Sequence, residues 1–163
     1  MKNNFRKNGA IGALLDEYEK AILELNVLIK DVSVEELFVI ADLETKDPDC
    51  KSIQTVLSHV IESGYGYAIV IRKSKGENIV YKDKINFNSV AEYQVELLKM
   101  FQFNVQLFED YPNIQLENYK NEDKILVRWG QRYDVDQLME HAIVHILRHR
   151  RQIERFLLKA QNK

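Results

Sequence analysis

The amino-acid sequence predicts an all-α fold, a four-helix bundle with long crossover connections. Apolar residues recur at steps of three and four in four separate segments, the spacing that places them on one side of a helix. Side chains able to cap a helix stand before the later segments, where they would take up orphan backbone amides. At 163 residues and 45% hydrophobic, the chain can bury one sizeable core and is too short to expect two. Residues 1–163 are therefore expected to form a single domain.

Taken in order, the first helix is expected near residues 9–30, where Ile11, Leu14, Leu15, Tyr18, Ile22 and Leu25 alternate with Asp16, Glu19, Lys20 and Glu24. The second, near 52–75, opens at Ser52 and carries Ile53, Val56, Leu57, Val60 and Ile61, with His59 on the same side. Gly64 and Gly66 weaken it as a helix but would permit close contact with a neighbour. The third, near 89–111, begins with Ser89 and Glu92 at capping-box spacing and stops before Pro112. Asp134 can cap the fourth, near 134–161, along which Leu138, Ala142, Ile153 and Phe156 recur and whose later half is rich in arginine.

The connections between these helices run to roughly 15–25 residues, against about 2–8 for the usual bundle loop, and connections that long often carry function. In the first, Ser33 and Glu36 have capping-box spacing and open a short helix that Pro48 is expected to end. In the last, Ile125, Val127 and Trp129 alternate with charged residues, a pattern for a short extended segment. The sequence shows no internal repeat, no low-complexity tract and no glycine-rich phosphate loop.

Composition excludes several classes. With 23 basic and 25 acidic residues the net charge is -2, so no overall field gathers nucleic acid or an anionic membrane. Arg148, Arg150, Arg151, Arg155 and Lys159 could read as a basic stripe, but they fall on several sides of the helix. Glu140 and Glu154 interrupt them, which suits solvated cations near a helix C-terminus. The apolar run at the N-terminus is broken by Asp16 and Glu17, too early for a signal-peptide core or a membrane span. The single cysteine, Cys50, rules out an internal disulfide framework and a CxxC zinc knuckle. A soluble, cytoplasmic protein is expected, with neither nucleic acid nor membrane as partner.

The stretch HAIVHILRHRRQI, residues 141–153, holds three of the four histidines at intervals of four. On a helix, residues four apart differ by about 40° in direction and about 6 Å in height, so two imidazoles there can converge on one ion at about 2.0–2.1 Å. His141 and His149, eight apart, are separated by a rise of about 12 Å, too far for one ion. His145 must therefore belong to any such pair, with either His141 or His149, and geometry leaves that choice open. His59, on another helix, could supply a third ligand and leave a fourth position for water or substrate. The same spacing also arises by chance on helices, but several polar rings on apolar faces each need a partner. Glu62, one turn from His59, is a possible acid or base. Gln152, three residues after His149, could orient that ring. Cys50 lacks the surroundings that would make it a thiolate nucleophile.

SIQTVLSHVIESG and HAIVHILRHRRQI together resemble the DinB/YfiT-like family, and the likeness extends over essentially the whole chain through the order of four helices. The family pattern has a histidine in the second helix and, in the last, two histidines four apart ending in His-Arg-x-Gln. Here those positions read His59, then His145 and His149 with Arg150 and Gln152. Arg151 stands where the family has glycine, and Val144 where asparagine is common.

The resemblance implies a divalent metal ion held by His59, His145 and His149 at one end of a bundle cavity, and frequently a homodimer; three imidazoles accept zinc, nickel, iron or copper. It favours His149 over His141, leaving His141 to line the pocket. Family members resemble metal-dependent transferases or isomerases that use low-molecular-weight thiols such as bacillithiol or mycothiol. The first expectation is thus an enzyme activating a thiol or water for transfer to, or hydrolysis of, a small-molecule substrate. The alternative is a non-catalytic binding module whose metal staples two helices, recognisable by a fourth position closed by Glu62 or another side chain and by the lack of a cavity.

Overall fold

The computed structural model describes residues 5–161 of the chain. They form a mostly helical protein: α1 (Gly9–Ile29), α2 (Val34–Phe38), α3 (Ile53–Ser74), α4 (Val90–Asp110) and α5 (Val135–Gln161). The strands β1 (Ile125–Leu126) and β2 (Arg132–Tyr133) pair antiparallel, Ile125 opposite Tyr133. The four long helices lie within one or two residues of the expected bounds, and the crossovers between them have the expected lengths. Among the described residues, no helix is long and apolar enough to cross a membrane.

Local chemistry starts the helices where the sequence suggests. Ser52 Oγ accepts from the Thr55 amide at 3.2 Å, and Thr55 Oγ1 accepts in return from the Ser52 amide at 3.1 Å. Ser89 Oγ accepts from the Glu92 amide at 3.3 Å. Asp134 Oδ1 accepts from the Gln137 amide at 2.9 Å, while the Gln137 side chain accepts from the Asp134 amide. Ser33 and Glu36 form a complete capping box at the start of α2. Pro48 does not end that helix: α2 stops at Phe38, and Pro48 opens a separate 3-10 turn, Pro48–Cys50, capped by Asp47. A proline at the first position of a turn loses no hydrogen bond, which is why it starts this element instead of terminating the earlier one.

α3 packs on α4 and α5, and α1 packs on the same two helices from the other side. The core between them is closed by Tyr18, Ile22 and Leu25 of α1, Val56 and Leu57 of α3, Leu97 and Met100 of α4, and Leu138 and Ile153 of α5, all essentially without solvent contact. The two glycines of α3 play different parts. A Cβ on Gly64 would lie 1.7 Å from Met100 Sδ, so this residue sets the close approach of α3 to α4. A Cβ on Gly66 would meet nothing within 4 Å. Gly66 faces a cavity, and close helix contact is not its role.

Candidate metal centre

His59 on α3 and His145 and His149 on α5 meet where those helices pack together. Their rings converge through one nitrogen each. His59 Nε2 lies 3.0 Å from His145 Nε2, and His149 Nε2 lies 3.2 Å from the same atom. Nitrogens bound tetrahedrally to zinc at about 2.0–2.1 Å are about 3.4 Å apart, so the spacing is close to that of a ligand set. All three residues can offer ligand atoms within 4.8 Å of one another.

The outer nitrogens decide what the inner ones present. His149 Nδ1 faces Gln152 Oε1 at 2.9 Å, and the Gln152 amide is oriented by donating its Nε2 to the Cys50 carbonyl at 3.4 Å. His59 Nδ1 faces Asp49 Oδ2 at 3.3 Å. Both partners are acceptors, so both Nδ1 atoms carry the hydrogen and both Nε2 atoms present lone pairs toward His145. His145 Nε2 can offer at most one hydrogen to the two. At least one lone pair is left facing another nitrogen, a repulsive arrangement that a cation relieves, and the residues present therefore fit a divalent metal ion.

Electrostatics keep the rings in the neutral form that binds metal. His145 is pushed down to about 2, first by burial and then by its neighbours His149 and His59. Burial is also the main cause that lowers His149, against its hydrogen bond to Gln152, which raises it. Burial lowers His59, with Asp49 opposing and Lys84 assisting.

The centre opens on a cavity of about 500 Å³. His59 and His145 line it, whereas His149 is 1% exposed and lies beneath. One wall is aromatic: Tyr67 of α3 and Trp129 of the last crossover lie with ring centroids 5.6 and 5.8 Å from His141. His141 itself stacks on His145 at 6.5 Å and does not join the three-histidine group.

Glu62 lines the cavity, but it groups with Asp49 and His59 instead of joining His145 and His149. Lys84, from the crossover between α3 and α4, lies between these carboxylates, 2.6 Å from Asp49 Oδ1 and 3.2 Å from Glu62 Oε2. Gln152 takes the ring-orienting position expected of it. Arg150 points to α1 and pairs with Glu24, and also lies 3.5 Å from Glu154. Cys50 is near the centre through its carbonyl, but burial, helped by the charge and hydrogen bond of Asp47 against a lowering contact from Gln152, pushes its thiol up. That is the opposite of what a thiolate nucleophile needs.

The sequence does not mark Asp49, Lys84, Tyr67 or Trp129 as site residues, Trp129 standing out there only in the extended segment of the last crossover. Asp49 had a visible signal, an aspartate beside Pro48 just ahead of the helix carrying His59. Trp129 had another, a lone tryptophan in a long crossover. No family model matches the chain, and no curated protein matches it either.

Proposed function

We propose that the chain is a metal-dependent enzyme of the DinB-like type, a four-helix bundle acting on a small molecule in the cavity beside His59, His145 and His149. The observation that carries this reading is the convergence of three imidazole nitrogens, at 3.0 and 3.2 Å, at the edge of a cavity of about 500 Å³. Cavities of about 300–1,000 Å³ lined mostly by apolar groups suit small ligands. A divalent ion bound there supplies Lewis acidity, lowering the pKa of a thiol or water that approaches from the cavity.

The chain's own residues prepare that chemistry. Gln152 and Asp49 hold the outer nitrogens of His149 and His59, fixing which nitrogen each ring presents. Lys84 steadies Asp49 and engages Glu62 Oε2, leaving the other Glu62 oxygen as the cavity's candidate acceptor for a proton. The aromatic wall of Tyr67, Trp129 and His141 supports the substrate and displaces water from the reacting end. The metal-stapled module finds less support, because Glu62 is engaged by Lys84 and a cavity is present.

The test is elemental analysis of protein purified without a metal-affinity tag, followed by a screen of thiols against electrophiles and of activated esters. The expected result is about one divalent ion per chain and a turnover abolished by chelation. A protein that retains no divalent metal overturns the reading. Bound metal without any metal-dependent turnover leaves the staple.

A further inference from the structure

Two cations from the crossovers line the cavity and a third, Lys84, lies beside it, and they are not equivalent. Lys84 is neutralised by Asp49 and Glu62. Lys82 and Arg128 line the cavity itself, and among the described residues neither makes an ion pair within 4.0 Å. Each is instead held against a ring: Arg128 Cζ lies 4.9 Å from the Tyr81 centroid, and Lys82 Nζ lies 3.6 Å from that of Tyr65.

A ring contact of this kind positions a guanidinium while taking up none of its in-plane donors, which remain free for a planar, doubly accepting anion. We propose that Arg128, assisted by Lys82, is an anion subsite that seats the carboxylate of a small aromatic or similarly flat ligand. The body of that ligand lies along Trp129 and Tyr67, with its other end toward the histidines. A carboxylate is favoured over a phosphate because no helix N-terminus lines the cavity, so the cradle of backbone amides that commonly holds a phosphate is missing among the lining residues. The subsite deepens the reading of this cavity as a substrate site and rests on it.

The chain's single tryptophan, Trp129, lines the cavity and reports any ligand that enters. The experiment titrates 3-phenylpropionate and its neutral analogue 3-phenylpropionamide against Trp129 fluorescence, in metal-loaded and in chelated protein, for the unaltered chain, Arg128→Gln and Lys82→Gln. The acid is expected to bind about tenfold more tightly than the amide in both metal states. Arg128→Gln should remove most of that preference and Lys82→Gln part of it, and both should change amide binding far less than acid binding. Both side chains are on exposed residues, and circular dichroism checks that the variants fold.

Equal quenching by acid and amide, or saturable quenching by neither, overturns the subsite. An acid preference that vanishes on chelation and ignores Arg128→Gln also overturns it, because the anion then sits on the metal, which supports the metal centre. An acid preference lost in Arg128→Gln, in a protein that never binds metal, upholds the subsite while removing the metal reading.

Discussion

α3 carries a polar cluster near each end, and the two clusters differ in what they leave undone. At the C-terminal end Arg72, 6% exposed, reaches Glu77 at 2.9 Å and Asp110 at 2.6 Å, and the Tyr111 hydroxyl donates to Glu77 at 2.7 Å. One cation serves two carboxylates, Phe103 covers the guanidinium face at 5.2 Å, and only Nε lacks a partner. Near the N-terminal end, His59 meets His145 and His149 with more lone pairs than hydrogens, beside an open cavity. The first cluster is closed by its own members and ties α3 to α4. The second has a lone pair to spare and is able to hold a metal ion. A buried polar cluster marks a site by its shortfall more than by its charge.

The widest break between the two clusters comes from removing a ligand. Alanine at His59, His145 or His149 should lower metal affinity beyond the roughly 100-fold that outer-shell changes can cost, read as metal content after dialysis. Asp49→Asn and Gln152→Leu, which disturb the outer nitrogens and leave all three ligands in place, should fall within the about 10–100-fold range of such changes. If the ligand alanines keep their metal, the lone-pair argument fails.

Arg72→Met tests the other end. Leaving two carboxylates without their cation should cost about 1–3 kcal/mol in denaturant unfolding, less than for a fully buried pair because both carboxylates can regain water. Metal content should not change. A loss of metal in this variant would mean that the two ends of α3 are coupled, and the contrast drawn between them would not hold.

The parts of this contrast differ in how far the sequence reveals them. The long helices were legible because a 3.6-residue apolar period and capping side chains are local signals, written within about one or two turns. His145 was legible for the same reason, as the member that any pair on α5 must share, while the spacing left its partner open between His141 and His149 and the resemblance favoured His149. His59 was visible as a histidine on an apolar face and as the one histidine left to complete a ligand set, but its pairing with α5 is a tertiary fact that periodicity does not carry, and the resemblance only favoured it. Asp49, Lys84, Trp129 and Arg128 come from crossovers, where no period constrains direction. Lys84 reaches Asp49 across 35 positions of sequence, and nothing near either residue announces the contact. The same holds for Gly66, whose neighbour Gly64 had the same sequence rationale and a different role.

His141 is where the smallest effect on the metal is expected, and it decides which histidine pair α5 uses. Its ring lies 6.5 Å from that of His145 at an angle of 26°, a stacked arrangement, whereas the rings of His145 and His149 lie 4.4 Å apart at 71°, with their Nε2 atoms facing. Parallel rings share faces and cannot aim lone pairs at one point; tilted rings meeting edge-on can. His141 is also surrounded by Tyr67, Trp129 and Tyr133 at 5.6, 5.8 and 5.9 Å, which makes it part of the cavity's aromatic wall. His141→Ala should therefore leave metal content unchanged while weakening a flat ligand such as 3-phenylpropionate by about threefold to tenfold, the scale of one aromatic contact. Atomic absorption on the dialysed protein and the Trp129 titration separate the two effects. Loss of metal in His141→Ala, with full retention in His149→Ala, would assign the ion to the other pair and leave His149 as a buried ring held by Gln152.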